Sequence, residues 1–388
     1  MHLVIVSAFK YPNGGPAAAR HLALASGLLE EGHQVSVVLL NQADWMHLAG
    51  LVDGINWVSI AEEGSSAIKW RQRAVLELGP ALDAINRAES VGAVLLTGLD
   101  PILLQAGVHA ARRRGFPVFH ELTEYPDVVT SSSLLGRLGR TYFERKLIRS
   151  FDGMFVISSA LKSFVQKRSA SHTKILGAIV DLAQHKPFPP LALGSHLAVG
   201  YAGSLSEAKD GVLTLLAAVA KAKPKLAPKL VLQVHILGDV QSSHGQLAVE
   251  RVRDLGIEEE VTFHGLVPHL DVKNYLHKCH LLVLPRPDSR QARGGFPTKL
   301  GEYLSSARPV MTTSVGDIPQ FLTDQENCLM VTPGDEDLMA STLVYVTENY
   351  ELAVKIGRRG REVVERLFDA RLQAREAVNF LNGLSDNG

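Results

Sequence analysis

Gly294-Gly295-Phe296-Pro297-Thr298-Lys299-Leu300-Gly301-Glu302-Tyr303-Leu304 places a glycine pair, a cation and a carboxylate close together. Pro297 suits the first position of a helix, where its missing N–H costs nothing. Leu300, Tyr303 and Leu304 follow with helical spacing. Lys299 then falls in the first turn, where a cation opposes the positive end of the helix dipole. Such a placement makes sense with an anion bound, because the free N–H groups of a helix start attract phosphate. Glu302 lies one turn on and can accept hydroxyl hydrogen bonds, and Arg290 and Arg293 precede the stretch. An anion site beside a hydroxyl acceptor fits a nucleoside diphosphate joined to a ribose or a sugar. A surface helix with an ordinary Lys–Glu pair fits the same residues equally well.

The elements around this stretch alternate strand and helix. His2–Ser7 is a short apolar run of the kind found in buried parallel strands. It leads through Gly14 and Gly15 into a helix that Gly32 stops, and Val35–Leu40 is the next strand. This βαβ opening predicts a doubly wound sheet, with ligands at the carboxyl ends of its strands. The alternation continues to a strand at 117–119 that ends in His120, which is either a ligand-edge residue or a hydrogen-bonded structural histidine. Pro187, Pro189, Pro190 and Gly194 mark a linker at 187–196. After it the pattern restarts with a strand at 197–201 and a loop from Gly203 to Gly211 that carries Ser204 and Lys209. The expected fold is α/β, with two doubly wound Rossmann-like domains at 1–186 and 197–367 and a ligand cleft between them. The last helix, within 368–388, is expected to return to the first domain.

Composition narrows the function. The chain has 388 residues, 46% hydrophobic and 21% charged, with 40 basic and 40 acidic side chains. That balance gives no global basic field for nucleic acid. Cys279 and Cys328 are expected as buried thiols. The amino terminus lacks the basic and long apolar regions of a signal peptide, and no apolar run is long enough to span a bilayer, so a cytoplasmic location is expected. Residues 134–149 read as a basic amphipathic helix. It either packs on its sheet with a solvated basic face or lies on anionic lipid, which would make the protein membrane-peripheral.

Taken in order, these segments resemble the GT-B glycosyltransferases of the large retaining family 4, the group 1 glycosyl transferases, which includes sucrose and mannosyl transferases. The resemblance rests on Gly14-Gly15, on Gly32-His33-Gln34-Val35, on His120-Glu121, on Ile175–Asp181 and on Gly203–Gly211. Val261–Gly265, Leu281–Pro285 and the stretch ending in Glu302 and Arg308-Pro309-Val310 complete it. It covers nearly the whole chain. It implies that Glu302, the second glutamate of an E-x7-E motif, holds the nucleotide ribose, and that Lys209 contacts the diphosphate. It places His120 near the donor sugar, giving His120, Lys209 and Glu302 as the catalytic set. Gly14 and Gly15 back onto the donor phosphates, and Thr298 offers a backbone N–H. Gly203, Ser204, Gly238, Leu266, Arg293, Gly294, Gly295, Phe296, Pro297 and Lys299 complete the implied donor site.

Three positions depart from the family pattern. The first glutamate of the motif falls at Gly294, an expected arginine is Ser204, and Glu121 follows His120 where aspartate is commoner. The diphosphate leaving group still needs positive charge, and Lys299, Arg286, Arg290 or Arg293 could replace the missing arginine. No Asp-x-Asp motif lies at a strand end, so neither a metal nor another cofactor is expected. The implied reaction moves a sugar from a UDP- or GDP-linked donor to a glycan, a lipid-linked acceptor or a small molecule, with retention. The rival reading is a non-catalytic partner subunit that binds nucleotide or glycan. A dinucleotide-dependent enzyme is disfavoured because neither strand–helix turn carries G-x-G-x-x-G.

Overall fold

The computed structural model describes residues 1–9, 11, 15–40, 50–60, 67–226 and 230–385. Gly14, expected at the phosphates, lies outside the described residues. The chain divides into two compact units: Met1–Asp181 with Asp369–Gly388, and Leu182–Phe368.

The first unit holds an eight-stranded sheet in the order β3-β4-β2-β1-β5-β6-β7-β8. Its strands are β1 (His2–Ser7), β2 (Gln34–Leu39), β3 (Gly50–Val52), β4 (Ile55–Ser59), β5 (Ala93–Thr97), β6 (Val118–Leu122), β7 (Gly153–Val156) and β8 (His172–Ile175). All neighbours are parallel except β3 and β4. The continuous apolar runs of β1 and β5 are buried along their whole length, as strands covered by helices on both faces require. The β3–β4 hairpin escapes a reading based on apolar runs, because Leu51 is exposed. Its Asp53-Gly54 turn, with φ of 51° and 78°, is what fixes it.

The second unit holds a six-stranded parallel sheet in the order β11-β10-β9-β12-β13-β14. Its strands are β9 (His196–Ala202), β10 (Val231–Leu237), β11 (Val261–Gly265), β12 (Leu281–Leu284), β13 (Val310–Thr313) and β14 (Leu329–Val331). The proline-rich segment at 187–195 lies on this unit. The Phe188 N–H donates to the Ser306 carbonyl at 2.8 Å, and His280 Nε2 donates to the Ala192 carbonyl at 3.2 Å.

The last helix, Ala370–Ser385, belongs to the first unit and packs on helix Gly15–Glu30. Ala374, Ala377 and Leu381 are fully buried, and the Phe380 ring meets Phe119 and Phe155 at 6.1 and 5.2 Å. Arg371 and Arg375 both pair with Glu31. The helices approach so closely at Gly27 that a Cβ there would stand 2.1 Å from the Ala370 carbonyl oxygen. Gly27→Ala therefore forces the two helices apart. It is expected to destabilise the first unit by about 1–3 kcal/mol, the usual cost of overpacking. A lowered urea midpoint with unchanged far-ultraviolet circular dichroism would show this, and an unchanged midpoint would refute it.

Candidate functional site

In the second unit the chain first builds outward from β9 through β10 to β11, then crosses back to place β12 on the other side of β9. The strand order thus reverses between β9 and β12, and a crevice opens at such a point outside the carboxyl ends of the strands. Gly203 follows β9 there and Pro285 follows β12. Lys209 stands on the short helix Glu207–Asp210, which Gly211 closes with φ 72°. The helices Arg290–Gly294 and Thr298–Ser305 follow β12, and Ser289 Oγ donates to the Ala208 carbonyl at 2.7 Å. Sequence segments around 203–211 and 286–302 are thereby joined at one sheet edge.

Helix Thr298–Ser305 is pinned to the end of β9. The Ala202 N–H donates to Tyr303 Oη at 2.7 Å, and the Tyr303 hydroxyl donates to the Ala202 carbonyl at 3.3 Å. The Tyr201 hydroxyl donates to the Ser204 carbonyl. Burial raises both phenols far above their ordinary pKa, so both remain protonated donors. This anchoring sets Lys299 over Gly203: a Cβ at Gly203 would lie 2.1 Å from Lys299 Nζ. The ammonium takes the space that any other residue would fill. Its counter-charge is Asp210, 3.6 Å away and almost fully buried.

Burial pushes the Lys299 pKa below its usual value; Asp210 and Glu302 oppose this, and Lys209 and Arg286 reinforce it. Three cations and two carboxylates therefore act on one spot. Arg286 is 4% exposed, and its guanidinium lies 3.7 Å from where a Gly295 Cβ would be. The Lys299 side chain keeps 23% of its surface in solvent, so an anion can reach it. Gly238 continues the edge after β10, its N–H donating to the Gly265 carbonyl at 2.9 Å. Leu266, beyond β11, is 82% exposed.

Several expected site residues sit differently. Pro297 is the N-cap of its helix, with φ −73° and ψ 113°, and Thr298 is the first helical residue. Gly294 ends a short helix and does not lie in an open glycine loop. The Phe296 ring is nearly buried against Phe321 and Phe368, at 5.6 and 5.4 Å, so it anchors the segment and does not present an aromatic face. Arg293 is exposed and paired with Asp288. Ser204 is exposed, and its hydroxyl accepts the Ser206 N–H.

In the first unit the equivalent reversal falls between β1 and β5. Gly15, with φ 70°, begins helix Gly15–Glu30. The strand expected to end at His120 runs on to Leu122, and His120 is completely buried. Its ring stacks on Phe151 at 4.8 Å and meets Phe143 edge-on. Nδ1 faces the Leu96 carbonyl at 2.9 Å and must carry the proton, which leaves Nε2 as a buried acceptor with no hydrogen-bond partner among the described residues. Burial lowers the His120 pKa to about 4. On the opposite face of β6, Glu121 accepts from Arg20 Nε at 2.9 Å and His21 Nε2 at 2.7 Å. Burial raises its pKa, but Arg20 and His21 reverse this and hold the carboxyl well below the usual range.

Two family models match in the same order as the units. The model of the glycosyl transferase 4-like domain matches residues 14–176, and that of the glycosyl transferases group 1 matches residues 196–349. The chain belongs to the group 1 glycosyltransferases. Its fold is similar to that of sucrose-phosphate synthase from Thermosynechococcus elongatus, with a TM-score of 0.76, 17% identity and 100% of each chain covered. It is also similar to HepE from Anabaena in complex with UDP and glucose, with a TM-score of 0.71, 15% identity and coverage of 98% and 99%. The amylovoran biosynthesis glycosyltransferase AmsK of Erwinia amylovora is 22% identical over 135 residues, which is 34% of this chain and 33% of that protein.

For this glycosyltransferase, sequence reading missed Asp210, Arg20 and His21. Asp210 adjoins Lys209 and looks like an ordinary partner for it; only the fold turns it toward Lys299. Arg20 and His21 lie about a hundred residues from Glu121 in the chain, and that distance hides the pairing. The buried neutral His120 has a measurable consequence. A histidine whose folded pKa lies below its unfolded value stabilises the fold fully above the unfolded pKa, and this stability is lost as pH falls. Between pH 6.5 and about 4 the loss amounts to about 3 kcal/mol. In His120→Asn, whose amide can still donate to Leu96, unfolding free energies measured across this range should fall less steeply than in the parent. Parallel slopes would show that His120 does not titrate in this way.

Proposed function

We propose that the chain is a retaining glycosyltransferase that moves a sugar from a nucleoside diphosphate sugar to an acceptor glycan, lipid-linked acceptor or small molecule. The observation that carries this reading is the Lys299 ammonium over Gly203 at the strand-order reversal, with Arg286 and Lys209 acting on the same spot. We assign Glu302, one turn along from Lys299, to the ribose hydroxyls. In this reading the donor diphosphate sits between the loop Gly203–Lys209 and the first turn of helix Thr298–Ser305, against the Thr298 and Lys299 N–H groups. As the bond from the sugar to the diphosphate breaks, negative charge grows on the leaving phosphate, where these cations stabilise it. Lys299 and Arg286 take the place of the arginine that Ser204 replaces. This neutralisation uses side chains alone and needs no metal.

UDP is the nucleotide we favour, because the similar HepE structure is described with UDP and glucose. The name of AmsK supports a role in polysaccharide biosynthesis. The acceptor is assigned to the first unit, and attack on the face that the diphosphate leaves retains the anomeric configuration. No described helix is long and apolar enough to cross a membrane, and we place the protein in the cytoplasm. With Gly294 where the family carries glutamate, the donor sugar relies on other contacts. That substitution also favours a second reading, a partner subunit that binds nucleotide without catalysis. Incubation with UDP- and GDP-sugars separates the two: slow release of nucleotide supports the enzyme, and binding without release supports the partner.

The phosphate assignment is tested by Lys209→Ala and Lys299→Ala. A charge-assisted contact contributes about 1.5–3 kcal/mol, so each variant should bind UDP about ten- to a hundredfold more weakly by calorimetry. Unchanged affinity for both UDP and GDP in both variants would remove the assignment. Activity of the parent protein in excess EDTA should match that without it, and its loss would show that a metal shares the charge.

A further inference from the structure

Helix Leu134–Arg145 turns its apolar residues in an unusual direction. Phe143 is buried, but Leu134 and Leu138 are 71% and 57% exposed. Leu135 is 80% exposed and Tyr142 42%. Leu134 and Leu138 follow one another at four-residue spacing and Leu135 flanks them, so the three make one outward stripe; Tyr142, next in the row, donates its hydroxyl to Gln105 at 2.7 Å. The opposite face is the one that packs. A Cβ at Gly139 would lie 3.2 Å from Pro101, and Phe143 is inside.

Cations border the stripe. Arg137 lies on one side, Lys146 on the other, and Arg145 continues it at the carboxyl end, whereas Arg140 lies round the far side of the helix. None of these four takes part in an ion pair among the described residues. The one acid of the helix, Glu144, is held by Arg168 at 3.0 Å. Apolar side chains exposed in a row, bordered by uncompensated cations, match the interface between the acyl chains and the anionic headgroups of a bilayer. At about 18 Å the helix is too short to span a bilayer, and its other face packs on helix Pro101–Arg112.

We propose that this face docks the protein on an anionic phospholipid surface, with Leu134, Leu135 and Leu138 entering the headgroup boundary and Arg137, Arg145 and Lys146 meeting lipid phosphates. Flotation of the full chain with vesicles tests it. Vesicles of phosphatidylcholine and phosphatidylglycerol should carry the protein, and phosphatidylcholine alone should not. Salt at about 1 M, where the screening length is about 3 Å, should weaken the association. The triple variant Leu134→Gln/Leu135→Gln/Leu138→Gln should partition at least about tenfold less, as should Arg137→Gln/Arg145→Gln/Lys146→Gln. Both variants should keep the thermal unfolding midpoint and UDP affinity of the parent. If a variant unfolds, Leu135→Gln alone, at the most exposed position, should still lower partitioning. Absence of lipid binding by the parent, equal binding to neutral vesicles, or unchanged partitioning of the folded variants would overturn the proposal. A dimer in sedimentation that the leucine variant dissolves would overturn it too, by assigning the face to a second copy.

Discussion

A lysine ammonium in a largely desolvated position is the constraint around which the second unit arranges its carboxyl edge. Burial disfavours the charged form of Lys299, so the fold must hold counter-charge close while leaving one side open. Asp210 supplies the first condition at 3.6 Å. Gly203 supplies the second, because only a residue without a side chain leaves the ammonium its space. The tyrosines at 201 and 303 then tie the loop after β9 to the helix that carries the lysine. Removing any one of these parts strands a buried charge or moves it, which is costlier than losing a surface pair.

The first unit solves the same problem in the opposite sense. Its buried carboxylate, Glu121, is fully matched by Arg20 and His21 on helix Gly15–Glu30, and Arg20 also donates to the carbonyls of Gly177 and Leu176. The network locks strand, helix and following segment together. His120, on the other face of the same strand, is held neutral by burial and offers one acceptor nitrogen. One sheet edge therefore leaves a cation partly open to solvent, while the carboxylate of the other is enclosed by its partners.

Helix Leu134–Arg145 shows where apolar periodicity is ambiguous. Its leucines and its Phe143 occupy different sectors, and either could face a core. Gly136 and Gly139 decide, because the face that carries them approaches its neighbours most closely. The larger leucines are left outward. Hydrophobic spacing reports that a face exists; close packing determines which face is used.

The chain by itself determined the alternation of apolar runs and helices, hence two doubly wound sheets and their ligand edges, because strand burial and helix periodicity are local properties. It also determined the family, through the order of short segments from Gly14-Gly15 to Glu302, and it marked Lys299 as a cation in a place that calls for an anion. Tertiary structure decided the partners. It turned Asp210 to Lys299, joined Glu121 to Arg20 and His21 across a hundred residues of sequence, enclosed His120 by continuing β6 to Leu122, and sent Phe296 into the core. The β3–β4 hairpin, fixed by a turn and not by an apolar run, also emerged only there. Each of these depends on contacts between residues far apart in the chain or on burial, and neither is encoded in local spacing.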